Sequence, residues 1–356
     1  MKPTTGVKAL VLAAGYGARL RPLTDHTPKP ALPVLGLPML AHTLRRLAAV
    51  GVVDVAVNLH HLDAQIPERL AGVPGLPEVR YSFEEDLLGT LGALAPLRGF
   101  FADARAVLIV NGDSLCRWPI RRLLRRHFRR GAAATLLLTT RAAPARYGGG
   151  VGIDRDRNVV SFRAGGSPDG ATARRVFAGA HALSPRLLER LPEGPSDSIA
   201  DLYEPLLREG SKLATCATGR RWHDLGTPRR YLEGVVAAGR PWHRWPHRWV
   251  HEEARVAPGA RLRGVVVEAG ASVAAGARLD RCLLLPGARV EASCVLEDVI
   301  VGFAAEIPPR TRVAGRLVTR ERSDATAPAH SSRLGQLWYT PLEAPAAAGA
   351  VRRASP

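Results

Sequence analysis

Lys29 stands between two prolines in Pro28-Lys29-Pro30 and is one of four lysines (Lys2, Lys8, Lys29, Lys212) among 50 basic residues. A lysine on a stiff loop loses little entropy when it is fixed on an anion, and its ammonium is a compact point charge that arginine does not reproduce. Upstream, an apolar run ends in Ala13-Ala14-Gly15-Tyr16-Gly17, followed by Arg19. Glycine turns after a strand let backbone N–H groups approach a phosphate closely. No Gly-Lys-Ser/Thr closes the turn, so it is not a Walker A loop. Leu20 sits where a dinucleotide fingerprint has its third glycine. The chemistry these residues suit is binding and neutralising a polyphosphate. Asn111-Gly112-Asp113, at the end of a second apolar run, offers a hard carboxylate oxygen, although taken alone it reads first as an ordinary Asx turn.

The elements that must position these groups follow from periodicity. Residues 7–14, 52–59, 79–83, 106–111 and 134–139 read as short apolar strands, with helical patterns over 40–50 and 120–130 between them. Alternating strands and helices predict a mostly parallel sheet covered on both faces. Further strands are expected near 159–162 and 176–183, and helices over 199–209 and from 227 to 238. Residues 239–252 carry three His and three Trp but also Pro241 and Pro246, and read as a connector with aromatic packing. Beyond it, Val256, Leu262, Val267, Val273, Leu279, Leu285 and Val290 recur every five or six residues, punctuated by Pro-Gly and Ala-Gly pairs. That is the pattern of a triangular β-solenoid with one inward aliphatic residue per side. The expected domains are therefore 1–238, a linker over 239–252, a solenoid over 253–318, and an Ala-, Arg-, Ser- and Pro-rich flexible tail over 319–356.

Composition narrows the function classes. With 356 residues and 46% apolar content the chain can bury a large core. No run of eighteen apolar residues is present, so no membrane partner is expected, and the N-terminus shows no cleavable signal pattern. Cys116, Cys216, Cys282 and Cys294 are scattered, as in reduced core thiols, and the expected location is cytoplasmic. Of the basic residues, 50 − 4 = 46 are arginine, giving a formal charge of +18. In the densest stretch Ile120, Leu123, Leu124, His127 and Phe128 form one helix face, which leaves the arginines as its solvated side. The charge thus predicts no nucleic-acid partner.

The stretch Leu12-Ala-Ala-Gly-Tyr-Gly-Ala-Arg-Leu-Arg-Pro-Leu-Thr, continuing to Pro28-Lys29-Pro30, resembles the signature of the sugar-1-phosphate nucleotidyltransferase family. Gly36-x-Pro38-Met39, Asn58-Leu-His-His-Leu, Ser82-Phe-Glu84 to Gly89-Thr90, Asn111-Gly112-Asp113, Phe177-Ala-Gly179 and Trp222-His-Asp224-Leu-Gly226-Thr-Pro228 continue it in the family's order, over roughly residues 7–238. The resemblance implies an α/β fold, a Rossmann-like mixed sheet, followed by a short left-handed parallel β-helix. It implies joining of a nucleoside monophosphate to a sugar 1-phosphate with release of pyrophosphate. Arg19 and Lys29 would neutralise the triphosphate. Asp113 and Asp224 would hold Mg²⁺. Leu12, Ala13, Ala14, Gly15, Gly17, Glu84, Gly89, Thr90, Asn111 and Gly112 would form the nucleotide site, and Gly148, Arg163 and Gly179 the sugar-phosphate site. The nucleophile is an already anionic phosphate oxygen, so His60, His61 and His223 are expected to orient or pack rather than catalyse.

One departure is visible. Many members carry Phe-x-Glu-Lys-Pro, where this chain has Phe162-Arg163-Ala-Gly-Gly-Ser-Pro. The expected substrates are GTP and mannose 1-phosphate or a related hexose phosphate, with uridylyl or thymidylyl transfer to glucose or amino-sugar phosphates as the alternative. A non-catalytic sugar-nucleotide-binding homologue is disfavoured by the intact Arg19, Lys29, Asp113 and Asp224. The solenoid is expected to serve as a homo-oligomerisation or regulatory surface.

Overall fold

The computed structural model describes residues 2–162, 170–239, 247–321 and 328–343. The chain packs as two compact units. The first comprises the residues up to Tyr16, Thr27–Leu32 and Leu37–Asp224; the second comprises Gly17–His26, Pro33–Gly36 and the chain from Leu225 onward.

In the first unit, four parallel strands lie in the order Val79–Phe83, Val55–Leu59, Val7–Leu12, Ala106–Asn111. Their register aligns Leu12 with both Asn58 and Asn111, and Asn58 with Ser82, so four strand ends form one row. The long strand Ala173–Leu183 joins Ala106–Asn111 antiparallel and makes the sheet mixed. It also pairs with Ala134–Thr139 and Val151–Ile153, and Leu213–Thr218 runs parallel to Ala134–Thr139.

Alternation along the central strand decides which residues build each face. Val7, Ala9 and Val11 pack with Leu40, Leu44 and Leu47 of helix Met39–Ala49 and with Ile120, Leu123 and Leu124 of helix Ile120–Arg130. Leu10 points the other way, into a cluster with Leu94, Phe101 and Tyr203. Both faces are thus buried, which is why these strands read as continuous apolar runs. The basic helix buries the stripe expected of it and ends at Gly131 in the left-handed conformation. The helix expected over 199–209 begins instead as a π turn, Ser198–Tyr203, before Glu204–Arg208; the Asp197 carboxylate caps it by accepting from the Ile199 and Ala200 N–H groups.

In the second unit, Thr227 caps helix Pro228–Ala238, and a parallel β-helix follows. Arg255 pairs with Ser272, Ser272 with Arg289 and Arg289 with Glu306, so each coil advances 17 residues. Arg261, Arg278, Val295 and Arg312 repeat the same advance on a second side. Three sides of five or six residues make one coil. The corners fall at left-handed positions such as Gly259, Gly276, Ser293 and Arg310, with φ of 85°, 70°, 61° and 60°. Aliphatic side chains including Val256, Val273, Val290 and Ile307 fill the interior.

The structure modifies two expected boundaries. Within the expected linker, 240–246 lie outside the described residues, but Arg248–Val250 is already a coil strand, parallel to Val265–Val267. In the expected flexible tail, Leu337–Pro341 pairs antiparallel with Arg316–Arg320 and with Ser332–Leu334, because Leu337 and Tyr339 are apolar enough to be buried on the last coil.

Candidate active site

The candidate residues of the first unit gather at the C-terminal edge of its parallel strands, where open α/β sheets bind ligands. Leu12 ends the central strand, and Gly112 follows Asn111 on the neighbouring one. The Gly112 N–H donates to the Leu12 carbonyl at 2.8 Å. A Cβ at residue 112 would stand 2.9 Å from that oxygen, so only glycine allows the two backbones to close here.

Asn58 organises the floor. Its side-chain oxygen accepts the Ala13 N–H at 2.8 Å, and its amide donates to Glu84 Oε1 at 2.8 Å. The other Glu84 oxygen accepts the Leu88 N–H at 3.0 Å. Glu84 is buried, and both its oxygens are engaged within the protein. The residue therefore fixes the glycine turn and the segment after it. Above it, His60 Nδ1 lies 2.9 Å from the Glu84 carbonyl and Nε2 lies 3.0 Å from the hydroxyl of Tyr16, a half-exposed ring beside Gly15. His60 thus orients Tyr16.

The charged core of the site joins three segments. Lys29 Nζ is 2.5 Å from Asp113 Oδ2. Lys29 sits in the single turn Lys29–Ala31, and its side chain is only 12% exposed, so the ammonium is held rather than waving in solvent. Asp113 precedes the strand Ser114–Cys116, which pairs antiparallel with Trp222–Asp224; Asp224 lies directly opposite Ser114. The two aspartates, 111 positions apart in the chain, are therefore neighbours at one end of a two-stranded ribbon. On the adjoining strand Gly179 has φ of 74°, and a Cβ there would meet Asn111 Cβ and Ser114 Oγ at 3.3 Å.

A divalent metal fits this donor set. Two carboxylates with hard oxygens are what Mg²⁺ ordinarily takes from a protein, with phosphates and water completing its shell. Among the described residues no cluster of three or more His, Cys, Asp or Glu could hold an ion by itself. Burial and the nearby Arg221 charge lower the pKa of His223, which lies between Trp222 and Asp224 in the ribbon and stays neutral.

Gly89 and Thr90 pack on residues 196–198: the Leu91 N–H donates to the Ser196 carbonyl at 3.0 Å, and Thr90 Oγ1 lies 3.2 Å from Asp197 Oδ2 and accepts the Ser198 N–H at 2.9 Å. Gly148 ends the turn Pro144–Tyr147 with φ of 64°. Arg163 lies outside the described residues. Gly17 and Arg19 belong to the second unit, where Thr24 Oγ1 donates to the Gly17 carbonyl at 3.0 Å and Arg19 lies in the single turn Ala18–Leu20. Asn58 and Tyr16 stand in the stretches that carry the resemblance, but sequence reasoning assigned neither of them a role of its own. A polar residue ending an apolar strand was the available signal for Asn58.

Residues 8–239 match the family model described as nucleotidyl transferase, and residues 245–327 match the GMPPB C-terminal domain. The mannose-1-phosphate guanylyltransferase of Mycobacterium tuberculosis is 35% identical over 305 residues, covering 83% of this chain and 84% of that protein. The mannose-1-phosphate guanyltransferase of Pichia angusta is 32% identical over 238 residues, 64% of this chain and 63% of that protein. Among solved structures, HddC from Yersinia pseudotuberculosis complexed with GMP-PN superposes with a TM-score of 0.56 at 22% identity, over 65% of this chain and 99% of that one. A putative glucose-1-phosphate thymidylyltransferase from Bacillus anthracis gives 0.56 at 21% identity, over 67% of this chain and 98% of that one. At these identities the structural likenesses speak to the fold alone.

Proposed function

The chain belongs to the nucleotidyl transferase family, and on that premise we propose that it is a mannose-1-phosphate guanylyltransferase, making GDP-mannose and pyrophosphate from GTP and mannose 1-phosphate. The observation that carries the reading is the 2.5 Å Lys29–Asp113 pair on the ribbon that also holds Asp224, beside the glycine turn. The relatives from Mycobacterium tuberculosis and Pichia angusta support guanylyl transfer to mannose 1-phosphate as the specific reaction.

Ala13, Ala14 and Gly15 receive the nucleotide against the floor built by Asn58 and Glu84. Lys29 neutralises the triphosphate as charge moves onto the departing pyrophosphate. Asp113 and Asp224 would hold Mg²⁺, which would supply Lewis-acid stabilisation to the phosphate oxygens. Gly179 leaves room for the sugar ring. A phosphate oxygen of the sugar 1-phosphate attacks the α-phosphorus while the bond to the pyrophosphate oxygen breaks. The attacking oxygen is already anionic, so positioning and charge, rather than proton abstraction, carry the rate.

The test is a pyrophosphate-release assay of the full chain with Mg²⁺, crossing GTP, UTP, dTTP, ATP and CTP with a panel of sugar 1-phosphates. The expected result is highest kcat/KM for GTP with mannose 1-phosphate. Preference for UTP or dTTP with glucose 1-phosphate would overturn the substrate assignment, and no turnover with any pair would overturn the catalytic one.

A further inference from the structure

The ribbon that carries Asp113 and Asp224 at one end has a different character at the other. There Cys116 lies opposite Trp222; Arg117 follows Cys116, Arg220 stands two residues before Trp222, and the charges of both bear on Arg46. Two helices add to them. An Arg46 guanidinium nitrogen donates to the Trp118 carbonyl at 3.0 Å, which sets that side chain next to Arg117. Arg121 Nε donates to the Val50 carbonyl at 3.2 Å, across the end of the helix that carries Arg46. The charges of Arg117, Arg220 and Arg121, all in the first unit, thus act together on Arg46.

Among the described residues none of Arg46, Arg117, Arg121 or Arg220 has a carboxylate within ion-pair distance. Arg46 is held below the ordinary guanidinium range, first by burial and then by the charges of Arg117, Arg220 and Arg121. The acid in their midst is the Cys116 thiol, which burial pushes up to about 12, so it contributes no negative charge at neutral pH. Arg46 Nε also stands buried without an acceptor among the described residues. Like charges brought together this closely are costly unless an anion joins them, and the planar guanidinium fork suits phosphate oxygens.

We propose that Arg46, Arg117, Arg121 and Arg220 form a second anion site, separate from the aspartate end of the ribbon, for a phosphoryl dianion, free or carried by a small metabolite. The inference is independent of the catalytic reading, because it uses none of the residues assigned to the reaction. Its exposed members, Arg117, Arg121 and Arg220, leave the site open to solvent, while Arg46 forms its partly buried floor.

Calorimetric titration of the full chain tests it, in a Lys29→Ala background that weakens phosphate binding at the glycine turn. Inorganic phosphate and glycerol phosphate are titrated separately at constant ionic strength, and the relative affinities tell free phosphate from a metabolite-borne group. Saturable binding of either probe is expected, with at least a tenfold loss when Arg46→Gln and Arg220→Gln are added. The exposed Arg220→Gln change alone, which keeps the floor intact, is expected to weaken binding at least threefold. In the absence of phosphate it should raise the melting temperature at low salt, since it removes repulsion. Equal binding by both backgrounds, no binding by either probe, or binding of an acidic peptide in place of phosphate would overturn the proposal.

Discussion

Asn58 and Glu84 end adjacent parallel strands and are joined by a buried hydrogen bond of 2.8 Å. Through it the glycine turn, held by Asn58 at Ala13, and the segment beginning at Leu88, held by Glu84, become one rigid assembly. Asn58→Ala strips one oxygen of a buried carboxylate of its partner and leaves the Ala13 N–H without an acceptor. The expected cost is about 3 kcal/mol of stability, read by urea denaturation. The KM for the nucleotide should rise more than the KM for the sugar phosphate, since the turn loses its anchor and the sugar side does not.

Lys29→Met removes the ammonium while keeping the length of the stem. On the proposed reading kcat should fall by roughly 10²- to 10⁴-fold, as for loss of one preorganised charge in a transition state. Pyrophosphate-release kinetics at saturating substrates measure this. A fall of less than threefold would show that the Lys29–Asp113 pair is structural.

Gly179→Ala puts a Cβ against Asn111 and Ser114 at a residue with φ of 74°. Backbone strain and crowding together should cost on the order of 1–3 kcal/mol. The substitution should raise the KM for the sugar 1-phosphate at least tenfold and leave that for the nucleotide within a factor of three. Initial-rate kinetics with each substrate varied in turn separate the two.

Stability of the second unit should depend on pH through Glu268, which is 1% exposed and accepts the Gly36 N–H at 2.8 Å. Burial raises its pKa from 4.5 to about 7, against the opposing effect of the backbone bonds from Gly36 and Leu35. A folded pKa above the unfolded one means the native state holds the extra proton, so stability is greatest below pH about 4.5 and falls as pH climbs to about 7. The shift corresponds to a loss of about 3 kcal/mol. Glu268→Gln keeps an acceptor for Gly36 without the charge. It should flatten this fall and leave the variant more stable than the parent at pH 8, as measured by denaturation at pH 5, 6.5 and 8.

Much of the sheet was legible because both its faces are covered. Strands such as Ala106–Asn111 then contain little but apolar residues, and their ends carry the chemistry. The link between Asn58 and Glu84 was not legible, because a bond between residues 26 apart exists only once two strands lie in register. The coil was half legible. Its aliphatic residues kept their spacing, but Arg281, Ser293, Asp298, Ala304 and Arg310 occupy left-handed corners that glycine marks elsewhere, so the sequence does not announce the full turn. The strands after residue 331 were hidden by a composition that surrounds a few apolar residues with Ala, Ser and Pro.

The constant advance from Arg255 to Ser272, Arg289 and Glu306 makes length in that region a quantised property. Deleting one residue would rotate every later side chain off its stack, exposing aliphatics and burying arginines. Excising or duplicating a complete rung would leave each remaining residue above an equivalent neighbour. Viable size variants of this protein should therefore differ, between Arg255 and Glu306, by whole rungs and by nothing smaller.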